Sequence, residues 1–169
     1  MAEWVGLIGA LAGTAIGGFV TYKVANQQHA HERRTDRQHR QIEALEAIYE
    51  LLSSITSQAS TLNMGVIGDL GYNSPLKADI LKERIQLDRL KMLVDFYAPV
   101  LKPHVKSMSA YLATIGEAVG EVMLNKNRTE EWKTRTVQSA LSASTEIEKI
   151  AREAQGKLGE LMQALTAES

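Results

Sequence analysis

Two patterns of apolar residues divide this chain. Residues 4–22, WVGLIGALAGTAIGGFVTY, are predominantly apolar and carry no charge. From residue 42 onward, apolar positions recur three and four apart, so each segment presents one apolar stripe and one polar back. The first pattern predicts a transmembrane helix, because 19 residues at ~1.5 Å each reach roughly 28 Å, about the hydrocarbon thickness of a bilayer. The second predicts amphipathic helices packed on one another. The fold class expected is all-α: an N-terminal single transmembrane helix (residues 1–22), a polar helical stalk (23–41) and an antiparallel four-helix bundle (42–167).

The membrane segment has two faces. At about 100° per residue, Gly6, Gly9, Ala10, Gly13 and Gly17 share one stripe, and Trp4, Ile8, Leu11, Phe19 and Tyr22 lie opposite. Gly9, Gly13 and Gly17 repeat every fourth residue, a glycine zipper that lets a second helix backbone approach closely. Glycine in a helix costs about 1 kcal/mol relative to alanine. Its segregation onto one stripe predicts helix association, and hence a homo-oligomer, rather than a plain anchor. A glycine-lined pore would need several copies as well, and the stripe carries no ionisable group.

Trp4 and Tyr22 stand at the two ends of the segment and suit the two headgroup layers, with Lys23 just beyond. Only Glu3 precedes the segment, whereas Lys23, Arg33, Arg34, Arg37 and Arg40 follow it. That basic excess predicts a single-pass cell-membrane protein with its N-terminus outside and its bundle in the cytoplasm. A cleaved signal peptide fits less well, since there is no basic start and the apolar run is too long. Ala2 and the lack of cysteine leave no lipidation signal.

Residues 19–64 contain neither glycine nor proline, so the membrane helix is expected to continue as one rod. Residues 23–41 are polar all round, as in a solvent-bridging stalk. Arg33, Arg34, Arg37 and Arg40 are about 16–27 Å beyond Tyr22 on a straight helix, past the ~8 Å Debye length, so of the stalk cations only Lys23 should feel headgroups strongly. Asp36 and Arg40 form a helix-stabilising pair. His29, His31 and His39 lack the spacing of a helical metal site, and Thr35 stands where an HExxH pattern would need histidine.

The bundle reads as four segments. Leu45, Ile48, Leu52, Ile55, Ala59, Leu62 and Val66 form the first stripe, a heptad pattern of the coiled-coil kind, with serines and threonines among its neighbours. Residues 65–75, GVIGDLGYNSP, read as a loop by their glycines, and Ser74 before Pro75 reads as a helix start. The second helix should then run to Tyr97 through Leu76, Ile80, Leu87, Leu90, Val94 and Tyr97, with a mixed-charge wet face. Pro99 and Pro103 break and restart it. Leu101, Val105, Met108, Leu112, Ile115, Val119 and Val122 form the third stripe, with Gly116 and Gly120 marking a close helix crossing. Thr129 caps the fourth helix, with Glu130 and Glu131 at the favourable end of its dipole. Its stripe is Val137, Leu141, Ser144, Ile147, Ala151, Ala154, Leu158, Leu161 and Leu165, with Gly156 and Gly159 weakening the last turns.

Composition narrows the function. Hydrophobic residues make up 44% and aromatics only 5%, which suits aliphatic helix packing. A net charge of −1 gives no global field for nucleic acid. Zero cysteines leave no disulfide or thiolate metal site. No phosphate loop follows a strand, no Glu-x-x-His pair suits a di-iron bundle, and His104 has no nucleophile beside it in sequence. Glu117 and Glu121 are neighbours on the third helix, at the exposed edge of its packing face. No catalytic residue, cofactor or metal is expected. The partners expected are membrane lipid, further copies of the chain and a protein docked on the bundle. The function expected is a non-enzymatic, self-associating membrane protein that displays the bundle as an interaction module. The alternative is an oligomeric membrane effector or channel of lytic, growth-arresting or phage-conduit type, with the glycine helix lining or packing its pore.

Overall fold

The computed structural model describes the backbone of residues 2–72, 74–76, 85–125 and 128–167, and the side chains of that set from residue 36 onward. It is all-helical: α1 (Ala2–Tyr72), α2 (Leu87–Tyr97), a 3-10 turn (Pro99–Leu101), α3 (Lys102–Leu124) and α4 (Glu130–Ala167), with no strand among the described residues. The chain divides into two units, Met1–Gln41 and Ile42–Ser169. In the first, the backbone is helical from Ala2. The Arg40 Nε donates to the Asp36 backbone oxygen at 3.2 Å rather than to its carboxylate, which replaces the ion pair expected there with a backbone contact. Among the described residues no helix is long and apolar enough to cross a membrane, and the side chains of residues 4–22 lie outside that set.

The second unit is a four-helix bundle around one aliphatic core. From α1 it takes Leu45, Ile48, Leu52, Ile55, Ala59 and Val66, with Leu62 half-buried, as the stripe predicts. The loop expected at residues 65–75 is corrected: α1 stays helical through Gly65, Gly68 and Gly71 to Tyr72. Val66 is fully buried and Leu70 nearly so, and burying two such side chains, at ~1.5–3 kcal/mol each, outweighs the ~1 kcal/mol that each glycine costs a helix.

The helix start expected at Ser74 and Pro75 is corrected too. Residues 74–76 are not helical. The Ser74 N–H donates back to the Gly68 carbonyl at 3.0 Å, and the Leu76 N–H donates to Asp69 Oδ2 at 3.0 Å, so these residues finish α1 instead of beginning the next helix. Ile80 lies outside the described residues. Residues 85 and 86 are not helical, so α2 begins at Leu87, and it buries Leu90 and Val94. Tyr97, expected in the core, is 39% exposed, and Ala98 takes the buried place at the bend.

Proline punctuation falls where expected. Pro99 opens the 3-10 turn and Pro103 sits in the first turn of α3, where a missing N–H breaks no helical bond. α3 buries Val105, Met108, Ile115, Val119 and Val122, with Leu101 buried just before it and Leu112 half-buried. The close crossing expected at Gly116 and Gly120 is overturned, because a methyl group added at either would meet no atom within 4 Å. The small residues that let helices approach are alanines of α4: Ala140, Ala143, Ala151 and Ala154 are all buried.

α4 begins as its sequence demands. The Trp132 N–H donates to Thr129 Oγ1 at 3.3 Å, and Glu130 and Glu131 occupy the first turn. Leu141, expected in the stripe, is 49% exposed and Ala140 is buried in its stead. The helix continues through Gly156 and Gly159 to Ala167, held by the fully buried Leu158.

Three sets of contacts fix the directions. Ser53 meets Gln155 and Asp69 meets Arg128, so α1 and α4 are antiparallel. Glu121 meets Trp132 and Thr136, while His104 feels Glu153 and Lys157, so α3 and α4 are antiparallel. Lys102 pairs with Asp95 at 2.9 Å across the α2–α3 bend.

Candidate functional site

The residues singled out for helix association (Gly6, Gly9, Ala10, Gly13, Gly17) and for the membrane interface (Trp4, Tyr22, Lys23) all belong to the helical backbone of α1, and their side chains lie outside the described residues. The described chemistry is in the bundle, in a clasp, three grooves and a histidine.

The clasp closes the end of the bundle where α1 and α3 finish and α4 begins. Asp69 is almost buried, its side chain 10% exposed, and its Oδ1 pairs with Arg128 Nη1. Arg128 Nη2 donates to the Val122 carbonyl at 2.7 Å, and Asp69 Oδ2 accepts from the Leu76 backbone. One guanidinium thus ties α1 to the last turn of α3, and one carboxylate ties α1 to the segment after it. Fork-like arginine geometry suits such convergence. Sequence reading missed this pair because its members are 59 residues apart and sit in runs rich in turn formers. Nearby, Glu121 Oε2 accepts from Trp132 Nε1 at 3.2 Å and from Thr136 Oγ1 at 3.3 Å. Glu117 and Glu121 are both exposed, as expected, and line a shallow groove of about 170 Å3 with Arg135 and Ser139.

The first of the larger grooves lies between α2 and α3. It has a volume of about 350 Å3, an apolar floor of Val94 and Val105, and a rim of Lys91, Lys102 and Lys106 with Asp95 as its single acid. The second, about 550 Å3, lies between α1 and α4 and is lined by Ser53, Ser57, Ser60, Glu148, Arg152 and Gln155. Its hydroxyls are partly occupied: Ser53 Oγ donates to the Tyr49 carbonyl at 3.0 Å and accepts from Gln155 Nε2 at 2.9 Å. These are binding surfaces in character. They offer charge and hydrogen-bonding groups.

His104 is half-buried near the start of α3, and its Nδ1 has no hydrogen-bond partner. Burial holds its pKa below the ordinary 6.5, the Lys157 charge lowers it further, and Glu153 opposes both. Among the described residues no cluster of histidine, aspartate and glutamate could hold a metal ion. No family model, no curated protein and no solved structure matches the chain.

Proposed function

We propose that the chain is a non-enzymatic, self-associating membrane protein: residues 4–22 span the bilayer once, copies meet through the stripe of Gly6, Gly9, Ala10, Gly13 and Gly17, and the bundle is displayed in the cytoplasm as an interaction module. The observation that carries this is the uncharged 19-residue run with Gly6, Gly9, Ala10, Gly13 and Gly17 on one helical side. Trp4, Tyr22 and Lys23 then sit at the two interfaces, with Lys23 and the stalk arginines holding the C-terminal side inside. Among the described residues the bundle presents polar-rimmed grooves and, near the α2 bend, the exposed Met92, Phe96 and Val100. Its occupants are other protein surfaces.

Two measurements test the reading. Full-length protein should resist extraction from membranes by alkaline carbonate, and mass photometry in mild detergent should find oligomers that Gly13→Leu disperses. Carbonate release, or a wild-type monomer unchanged by Gly13→Leu, would sink it. Dye release from sealed vesicles at oligomer-forming densities would move the protein to the channel or lytic class instead.

A further inference from the structure

We propose that the lysine-rimmed groove between α2 and α3 of one copy receives the acidic edge of α1 from the next copy. The inference rests on the self-association reading above and names the second contact between copies, outside the lipid.

The charges are sorted for it. From residue 41 to residue 72, α1 carries Glu43, Glu46, Glu50 and Asp69 and no lysine, arginine or histidine. Asp69 is taken up by the clasp, whereas Glu46 and Glu50 are exposed. The opposite charge collects on the other helix pair, where Lys91, Lys102 and Lys106 rim the groove and Asp95 answers only Lys102. Among the described residues Lys102 has its counter-charge in Asp95, whereas Glu46, Glu50, Lys91 and Lys106 stand in none of the ion pairs. Complementary surfaces of this kind steer encounter and fix register.

The levels also agree. His104, between Lys102 and Lys106, faces Glu153 and Lys157 of α4. Gln155 of that same turn bonds to Ser53 of α1. Glu50 is three residues before Ser53, about 4.5 Å along the helix. Acidic edge and lysine groove therefore stand at nearly the same height on the bundle. A contact between different faces at equal height is one that bundles standing side by side in the same sense can make. Such a contact is heterologous, and its repetition gives a ring or a row rather than a closed two-fold dimer. The groove's apolar floor of Val94 and Val105 gives the stem of an incoming glutamate a surface to lie on.

Natural lack of cysteine makes the test clean. Two differently tagged full-length copies, one Glu50→Cys and the other Lys106→Cys, are reconstituted together in phosphatidylcholine vesicles and mildly oxidised. A disulfide joining the two tags is expected, with none when Thr145→Cys replaces Glu50→Cys. In parallel, Lys102→Glu with Lys106→Glu should weaken association about tenfold, and mixing with Glu46→Lys, Glu50→Lys copies should restore it. Circular dichroism melting checks that each variant folds. Oligomers without the cross-link or the restoration would overturn this contact and leave the glycine stripe standing alone. Single copies of the wild type would overturn the self-association reading itself. A lysine variant that associates normally but no longer binds phosphatidylglycerol vesicles would assign the groove to anionic lipid, and the proposal would fail.

Discussion

In residues 4–22 four of the five glycines, Gly6, Gly9, Gly13 and Gly17, fall on one side of a predominantly apolar run, whereas Gly116, Gly120, Gly156 and Gly159 sit on bundle helices where an added methyl group meets no atom within 4 Å. The spacing is the same in Gly9 with Gly13 and in Gly116 with Gly120. Under the proposed reading, what differs is the force that brings helices together. In the bundle, water expels large side chains, so Ile115, Val119 and Val122 carry α3 into the core and the glycines fall on its back. Between helices already in lipid that force is missing, and close backbone approach is what remains. A four-residue glycine repeat therefore speaks of packing only once its solvent is known.

That comparison can be broken or sharpened by substitution. The largest effect expected in the bundle is from Ile115→Ala, which should lower its stability by about 3 kcal/mol in urea melts, because Ile115 is fully buried. A loss under 1 kcal/mol would mean that large side chains do not hold α3. Arg128→Ala comes next. It strands the nearly buried Asp69, and about 1–3 kcal/mol should go, discounted because Arg128 itself is 36% exposed. Arg128→Lys should recover only part of it, since a single ammonium cannot reproduce the fork.

Smaller and opposite in sign, Gly116→Ala should raise the melting temperature, adding about 0.5–1 kcal/mol. Destabilisation by alanine there would restore the close crossing and dissolve the contrast with Gly13. The smallest effect is from His104. Its pKa is lower folded than unfolded, so just below pH 6.5 the unfolded chain binds more protons and stability rises with pH, flattening above that window. His104→Gln should remove the slope, and an unchanged slope would place its origin elsewhere.

The core was legible in the sequence where large aliphatic residues keep helical spacing. Leu45 to Ala59 in α1 and Val105 to Val122 in α3 are buried nearly residue for residue. Legibility failed where a local signal and a tertiary one disagreed. Glycines and Ser74-Pro75 argued for a loop and a new helix, but the core claimed Val66 and Leu70 and drew α1 on to Tyr72. On α4 helical spacing placed Leu141 in the stripe, yet it is 49% exposed and Ala140 is buried instead. The clasp and the lysine groove were illegible for a simpler reason. Asp69 and Arg128 meet only after folding, and Lys91 reaches the level of Lys106 only because the chain doubles back at Ala98.

The clasp also bears on proteolysis. Arg128 stands in the turn between α3 and α4, which by position alone should invite trypsin. Its guanidinium is engaged by Asp69 and by the Val122 carbonyl, and a protease must pull it free to seat it. Cleavage after Arg128, told apart by fragment mass from cleavage after Lys126, is governed by how often the tip of the bundle opens and so reports that opening.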